Sequence, residues 1–154
     1  MISQRARYAL KALLFLARAE PRKPVRANEI AASEGIPEAF LEQILVDLRR
    51  TGLVDSKRGR QGGHLLARPA KEISLASVLR TTEGPMAPVS CLSRTAYRRC
   101  ADCADEAACD LRHLFLDTHN AMLSVLEKRT LADVVQRPNI TDERAPGYYE
   151  GAYI

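Results

Sequence analysis

The stretch VRANEIAASEGIPEAFLEQILVDLRRTGLV, Val25–Val54, decides the fold. Ile30 and Ala31, then Gly35 and Ile36, then Leu41 and Ile44 fall where two short helices joined by a tight turn need them. Ala31 is small enough for the helices to approach closely, Gly35 makes the turn, and Ile30, Ile36, Leu41 and Ile44 supply the shared core. Pro37 sits at the start of the second helix, where its missing N–H costs nothing, and Gly52 after Arg49-Arg50 stops that helix. This is the pattern of a helix-turn-helix.

Working outward, LVDSKRGRQGGHLLARP, Leu53–Pro69, reads as strand, turn and strand. Its centre, Lys57-Arg58-Gly59-Arg60-Gln61-Gly62-Gly63, is a basic, glycine-rich hairpin tip, which is what a wing looks like beside a helix-turn-helix. Upstream, Gln4–Arg18 spaces Tyr8, Leu10, Leu13, Leu14, Leu16 and Ala17 for a helix with a broad buried face, ended by Pro21 and Pro24. Charge follows the same division. Residues 1–71 carry 14 Lys and Arg against 7 Asp and Glu, whereas the remainder is net acidic, so the basic half is the candidate for a polyanionic partner.

A DNA duplex fits that half in detail. The helix from Pro37 to Arg50 would enter the major groove by its N-terminal part, offering Glu38, Glu42 and Gln43. Gln43 can pair bidentately with adenine and Glu42 can accept from cytosine, each contact worth ~1–3 kcal/mol of discrimination. Arg49, Lys57 and Arg60 are expected on phosphates, Arg58 in a minor groove, and Gly59 where the backbone approaches closely.

Downstream, Lys71–Gly84 gives one more short helix, with Ser74 as its N-cap and Gly84 as its stop. Pro85 and Pro88 lead into a cysteine-rich loop, residues 85–110, and residues 106–135 contain the longest helical segment. Its apolar residues Leu111, Leu114, Phe115, Thr118, Met122, Val125 and Leu126 form an i, i+3, i+4 stripe, read as a dimerisation helix suited to two-fold recognition of a palindromic operator. The expected architecture is mainly α with a small β wing: a winged helix-turn-helix domain over 1–84, the sensor loop, the long helix and an aperiodic, poorly ordered tail from 137 to 154.

All four cysteines lie between Cys91 and Cys109. The N-terminus has neither an uninterrupted apolar run nor a cleavage site, so the chain reads as cytoplasmic, unprocessed and without a membrane partner. In a reducing compartment clustered cysteines are metal ligands or reactive thiols more often than disulfides. Cys91, Cys100, Cys103 and Cys109 match in number the four closed ligands of structural zinc, although their x8, x2, x5 spacing is not that of a zinc ribbon. An iron-sulfur cluster also takes four ligands, and a metal-free thiol switch is favoured by Arg94, Arg98 and Arg99. Cys109 and His113 share a helix face as a nucleophile and base would, but no oxyanion device accompanies them, and the chain is not read as an enzyme.

Together, YALKALLFLA (Tyr8–Ala17), FLEQILVDLRRTGLVDSKRGRQGGHLLARP (Phe40–Pro69), the ISLASVLRTTEG helix and CADEAACDLR resemble the bacterial IscR/NsrR/RirA-type winged-helix regulators over about residues 1–135. The resemblance implies a homodimeric DNA-binding transcription factor, a repressor, controlled by a 2Fe-2S or 4Fe-4S cluster, with zinc or a thiol switch as the alternative. Carried over by position, Cys91, Cys103 and Cys109 are the family's three cysteine ligands. Relatives draw a fourth ligand from a histidine three residues after the last cysteine or from an acidic residue before the YA pair. Here Arg112 and Arg7 stand at those places, so the fourth site is open to Cys100, the neighbouring His113, a water or a carboxylate, with Cys100 or His113 the candidates named.

Overall fold

The computed structural model describes residues 2–19 and 23–137. The tail expected beyond Arg137, and Pro21, lie outside the described residues. The elements are helices α1 (Gln4–Arg18), α2 (Ala27–Glu34) and α3 (Glu38–Arg50), strands β1 (Val54–Lys57) and β2 (Gly63–Leu66), then α4 (Leu75–Glu83), α5 (Asp110–Lys128) and α6 (Leu131–Val135).

Helix α1 is the central post. The Ser3 hydroxyl accepts from the Ala6 amide at 3.1 Å and starts the helix. Its buried face, Ala6, Ala9, Ala12, Leu13 and Leu16, is lined with alanines, so neighbouring helices approach closely; α2, α3, α4, α6 and β2 all pack on it. The helix-turn-helix forms where expected. Gly35 closes α2 at φ 64°, a left-handed conformation that favours glycine, and the Ile36 amide bonds back to Ala31 at 3.0 Å. Ile30, Ala31, Ile36, Leu41 and Ile44 are buried, joined by Leu45, Leu48 and Leu53. Burial of each large aliphatic side chain contributes about 1.5–3 kcal/mol before entropy is counted.

Strands β1 and β2 form an antiparallel hairpin with Val54 opposite Leu66 and Lys57 opposite Gly63. Val25 adds a third short rung. Its amide donates to the His64 carbonyl at 2.8 Å and its carbonyl accepts from the His64 amide at 2.7 Å, fastening the wing to the segment that begins α2. Helix α4 starts at Ser74, whose hydroxyl accepts from the Ser77 amide at 3.2 Å, and ends at Gly84, as the sequence suggests.

The C-terminal part departs from the sequence reading. The helix read from about Glu106 to Arg129 spans Asp110–Lys128, and the remainder of the stretch assigned to dimerisation, 106–135, holds a separate helix after a break at Arg129–Thr130. A capping box causes the break: the Asp133 carboxylate accepts from the Thr130 amide at 2.8 Å, and the Thr130 hydroxyl accepts from the Asp133 amide at 3.3 Å. The chain then turns back. Leu75 N–H bonds to the Arg129 carbonyl at 2.8 Å and Leu131 N–H to the Ile73 carbonyl at 3.0 Å, and Leu131 is fully buried in the core with α6 against α1. The N-terminal core is thus closed by residues beyond the long helix.

Candidate nucleic-acid interface and cysteine loop

Helix α3 is amphipathic across two faces. Leu41, Ile44, Leu45 and Leu48 hold it to the core, so Glu38, Glu42 and Gln43 point outward with Ala39, Val46, Arg49 and Arg50. An ion pair between Arg5 of α1 and Asp47 fixes the helix from behind. Arg49 Nη1 donates to Ser56 Oγ at 3.2 Å, placing that guanidinium where α3 meets β1.

At the wing tip Lys57, Arg58, Gly59 and Arg60 are all exposed. The tip is closed by the Gly62 amide donating to the Gly59 carbonyl at 2.9 Å, with Gly59 at φ 108°. Gly62 is required by space rather than angle, because a Cβ there would lie 2.3 Å from the Lys57 carbonyl oxygen. Arg26 Nη2 donates to the Arg60 carbonyl at 2.9 Å, tethering the tip to the start of α2. Hydrogen bonds thus tie Arg49 of α3 to β1, and the wing tip to the start of α2 through Arg26, which had no motif to mark it.

His64 was also missed. It pairs with Ser56 across the hairpin, is half-buried, and its Nδ1 has no hydrogen-bond partner among the described residues. Burial pushes its pKa below the usual imidazole value, the Arg49 charge pushes the same way, and Glu42 opposes both. The folded protein thus favours neutral His64. Its contribution to stability is complete above the ordinary pKa of 6.5 and is lost as pH falls below that, where the unfolded chain takes up the proton first. Urea unfolding between about pH 5 and pH 8 should show this loss on the acid side, and His64→Gln should flatten it.

The four cysteines are free thiols in different settings. Cys91 is buried in a 3-10 turn, Ser90–Leu92; Cys100 is exposed; Cys103 and Cys109 are half-buried, the latter as the N-cap residue of α5. The Cys100 thiol is held above its ordinary pKa, first by desolvation, then by Cys91, Asp102 and Cys103. Cys91 and Cys103 are thus among the groups acting on Cys100, whereas Cys109 is not. His113 is exposed one turn into α5, its amide bonded to the Cys109 carbonyl at 3.1 Å.

Polar contacts shape the loop. Ser90 Oγ donates to the Arg98 carbonyl at 2.7 Å. The Arg99 guanidinium donates to the Cys103 and Ala104 carbonyls at 3.0 and 2.9 Å, so it braces the backbone rather than attending a thiolate. Tyr97 donates to Glu106, which faces Arg112 of α5 at 3.7 Å. Thiols are suitable donors for an iron-sulfur cluster or zinc, and the loop supplies four. Among the described residues, however, no three His, Cys, Asp or Glu side chains stand close enough together to hold a metal ion.

Helix α5 buries none of its residues within the chain. Phe115 and Leu126 turn half-buried toward the rest of the protein, and Glu127 pairs with Arg80 of α4. The rest of the expected stripe, Leu111, Leu114, Thr118, Met122 and Val125, is exposed, with Leu114 at 62% and Val125 at 57%. Among the described residues no helix is long and apolar enough to cross a membrane.

A helix-turn-helix whose second helix turns its polar face outward beside a cationic hairpin defines a winged-helix DNA-binding regulator. Residues 2–137 match the model of the Rrf2 family, described as an iron-dependent transcriptional regulator, and the chain belongs to that family. It is 44% identical over 142 residues to an rrf2-like HTH-type transcriptional regulator of Rhodobacter capsulatus, covering 90% of this chain and 95% of the relative. Among solved structures, CymR (YrzC), the global cysteine regulator of Bacillus subtilis, superposes with a TM-score of 0.72 at 31% identity, covering 88% of this chain and 95% of that one. IscR of T. potens gives a TM-score of 0.67 at 27% identity, covering 88% and 85%.

Proposed function

We propose that this winged-helix regulator acts in the cytoplasm as a homodimeric repressor of a palindromic operator, its affinity set by an iron-sulfur cluster in the cysteine loop. Cys91, Cys103 and Cys109 are the proposed ligands, and Cys100 takes the fourth place ahead of His113 because Cys91 and Cys103 are among the groups that raise its thiol pKa. The observation that carries this reading is the loop's position. It joins α4 of the DNA-binding body to α5, so whatever orders residues 91–109 acts on the placement of the exposed helix. The iron dependence in the description of the Rrf2 family model supports the choice of cofactor. When bound, the cluster supplies sensitivity to iron supply and oxidants.

Anaerobic isolation should yield coloured protein containing iron and acid-labile sulfide, and Cys100→Ser should lower the content of both. Colourless protein with stoichiometric zinc would sink the cluster. One observation favours a second reading, a cluster-free thiol switch: Cys91 is among the groups that hold the Cys100 thiol above its ordinary pKa. Two-electron oxidation would join them as a disulfide with release of two protons and two electrons to the oxidant. Metal-free protein that loses two thiols on mild peroxide treatment, with operator affinity changing in parallel, selects that alternative.

A further inference from the structure

A cavity of about 360 Å³ opens between the end of α4, the segment leading to Cys91 and the middle of α5. Met86, Ala87 and Leu123 give it an apolar side, while Arg80, Arg94 and His119 also line it, and among the described residues no Asp or Glu does. Arg80 is engaged by Glu127. Arg94, by contrast, is exposed and makes no hydrogen bond or ion pair among the described residues. Half-buried His119 also lines the cavity, and its Nδ1 is shut off from solvent with no hydrogen-bond partner among the described residues. The backbone beside Arg94 is anchored, since buried Ser93 accepts from the Ala96 amide at 2.9 Å.

We propose that this cavity binds a small organic carboxylate, its charge held by Arg94 and His119 and its short apolar tail against Met86 and Leu123. The volume lies at the small end of ligand sites, and an apolar wall with a few convergent polar groups is their usual chemistry. A purely inorganic anion would leave the apolar side uncovered; an uncharged ligand would leave Arg94 unmatched. The site touches the DNA-binding body through α4, the start of the sensor loop and the exposed helix at once, so occupancy biases the same elements as the cysteines do. It stands independently of what the cysteines hold.

Calorimetric titration of the full chain with isovalerate, isovaleramide and inorganic phosphate tests it. Isovalerate should bind saturably, one per chain, with the amide at least ~10-fold weaker. Arg94→Gln and His119→Gln should each weaken isovalerate ~10-fold or more with the thermal melt retained. Should His119→Gln unfold, exposed Arg94→Gln carries the test alone, and Leu123→Phe, which fills the cavity, should also remove binding. Amide binding equal to that of the acid, phosphate bound in place of isovalerate, no saturable binding, or full binding by the Arg94→Gln protein would each overturn the proposal.

Discussion

Replacing Lys57, Arg58 and Arg60 together by glutamate should lower affinity for a fluorescein-labelled duplex by at least about 100-fold at moderate salt, while leaving the fold intact. All three side chains are exposed and none belongs to the core, so the melting temperature should hardly move. The loss is electrostatic. Each phosphate contact removed makes the slope of log K against log salt shallower by about 0.9, so the three wing cations of a protomer account for a change of roughly 2 to 3. The term is independent of sequence, and the measurement therefore works on any duplex before the operator is known.

A second route to the same wing uses shape instead of charge. Gly62→Val keeps every cation but places a Cβ where only 2.3 Å separates it from the Lys57 carbonyl oxygen, so the tip must open. Its affinity should drop while the salt slope changes less than in the triple variant. Salt slope and affinity both unchanged after triple charge reversal would remove the wing from the interface.

How far the sequence could be read depended on how local each cause was. The helix-turn-helix was legible because its requirements, Ala31 for close approach, Gly35 for the turn and Ile30 against Ile44 for the core, fall within thirty residues and act on one another directly. Leu131 was not, since its burial depends on the chain returning to Ile73 after a long helix; yet Thr130-Leu131-Ala132-Asp133 carries a capping-box signal that marks the break. His64 carried no signal at all. Its environment is made by Arg49, Glu42 and Ser56, brought to it by the wing folding against α3. In the cysteine loop the family resemblance gave the ligand candidates but not their neighbours, and the thiol pKa of the remaining cysteine, Cys100, is raised by two of them, Cys91 and Cys103. Periodicity likewise found the apolar stripe of α5 without dividing it: Phe115 and Leu126 face inward, and Leu111, Leu114 and Val125 do not.

That division sets up the other large effect. Leu111, Leu114, Thr118 and Val125 follow one another at spacings of three, four and seven residues, the seam along which two helices pack, and each of the three large apolar side chains there is more than half exposed in a single chain. If a second copy covers this face, Leu114→Glu combined with Val125→Glu places four carboxylates in the dimer seam and should leave a monomer in sedimentation velocity at micromolar concentration. Helical content should persist, because α5 buries none of its residues within its own chain and loses no internal packing. Operator affinity should then fall by about 10²–10⁴, the gain that linking two half-site contacts in one molecule provides, and the site preference should relax from a palindrome toward a half-site. Non-specific binding per protomer should survive, since α3 and the wing are untouched. A double variant that stays dimeric and holds its operator as tightly as the parent would show that the exposed face serves another partner, and that the two recognition helices are spaced by something other than α5.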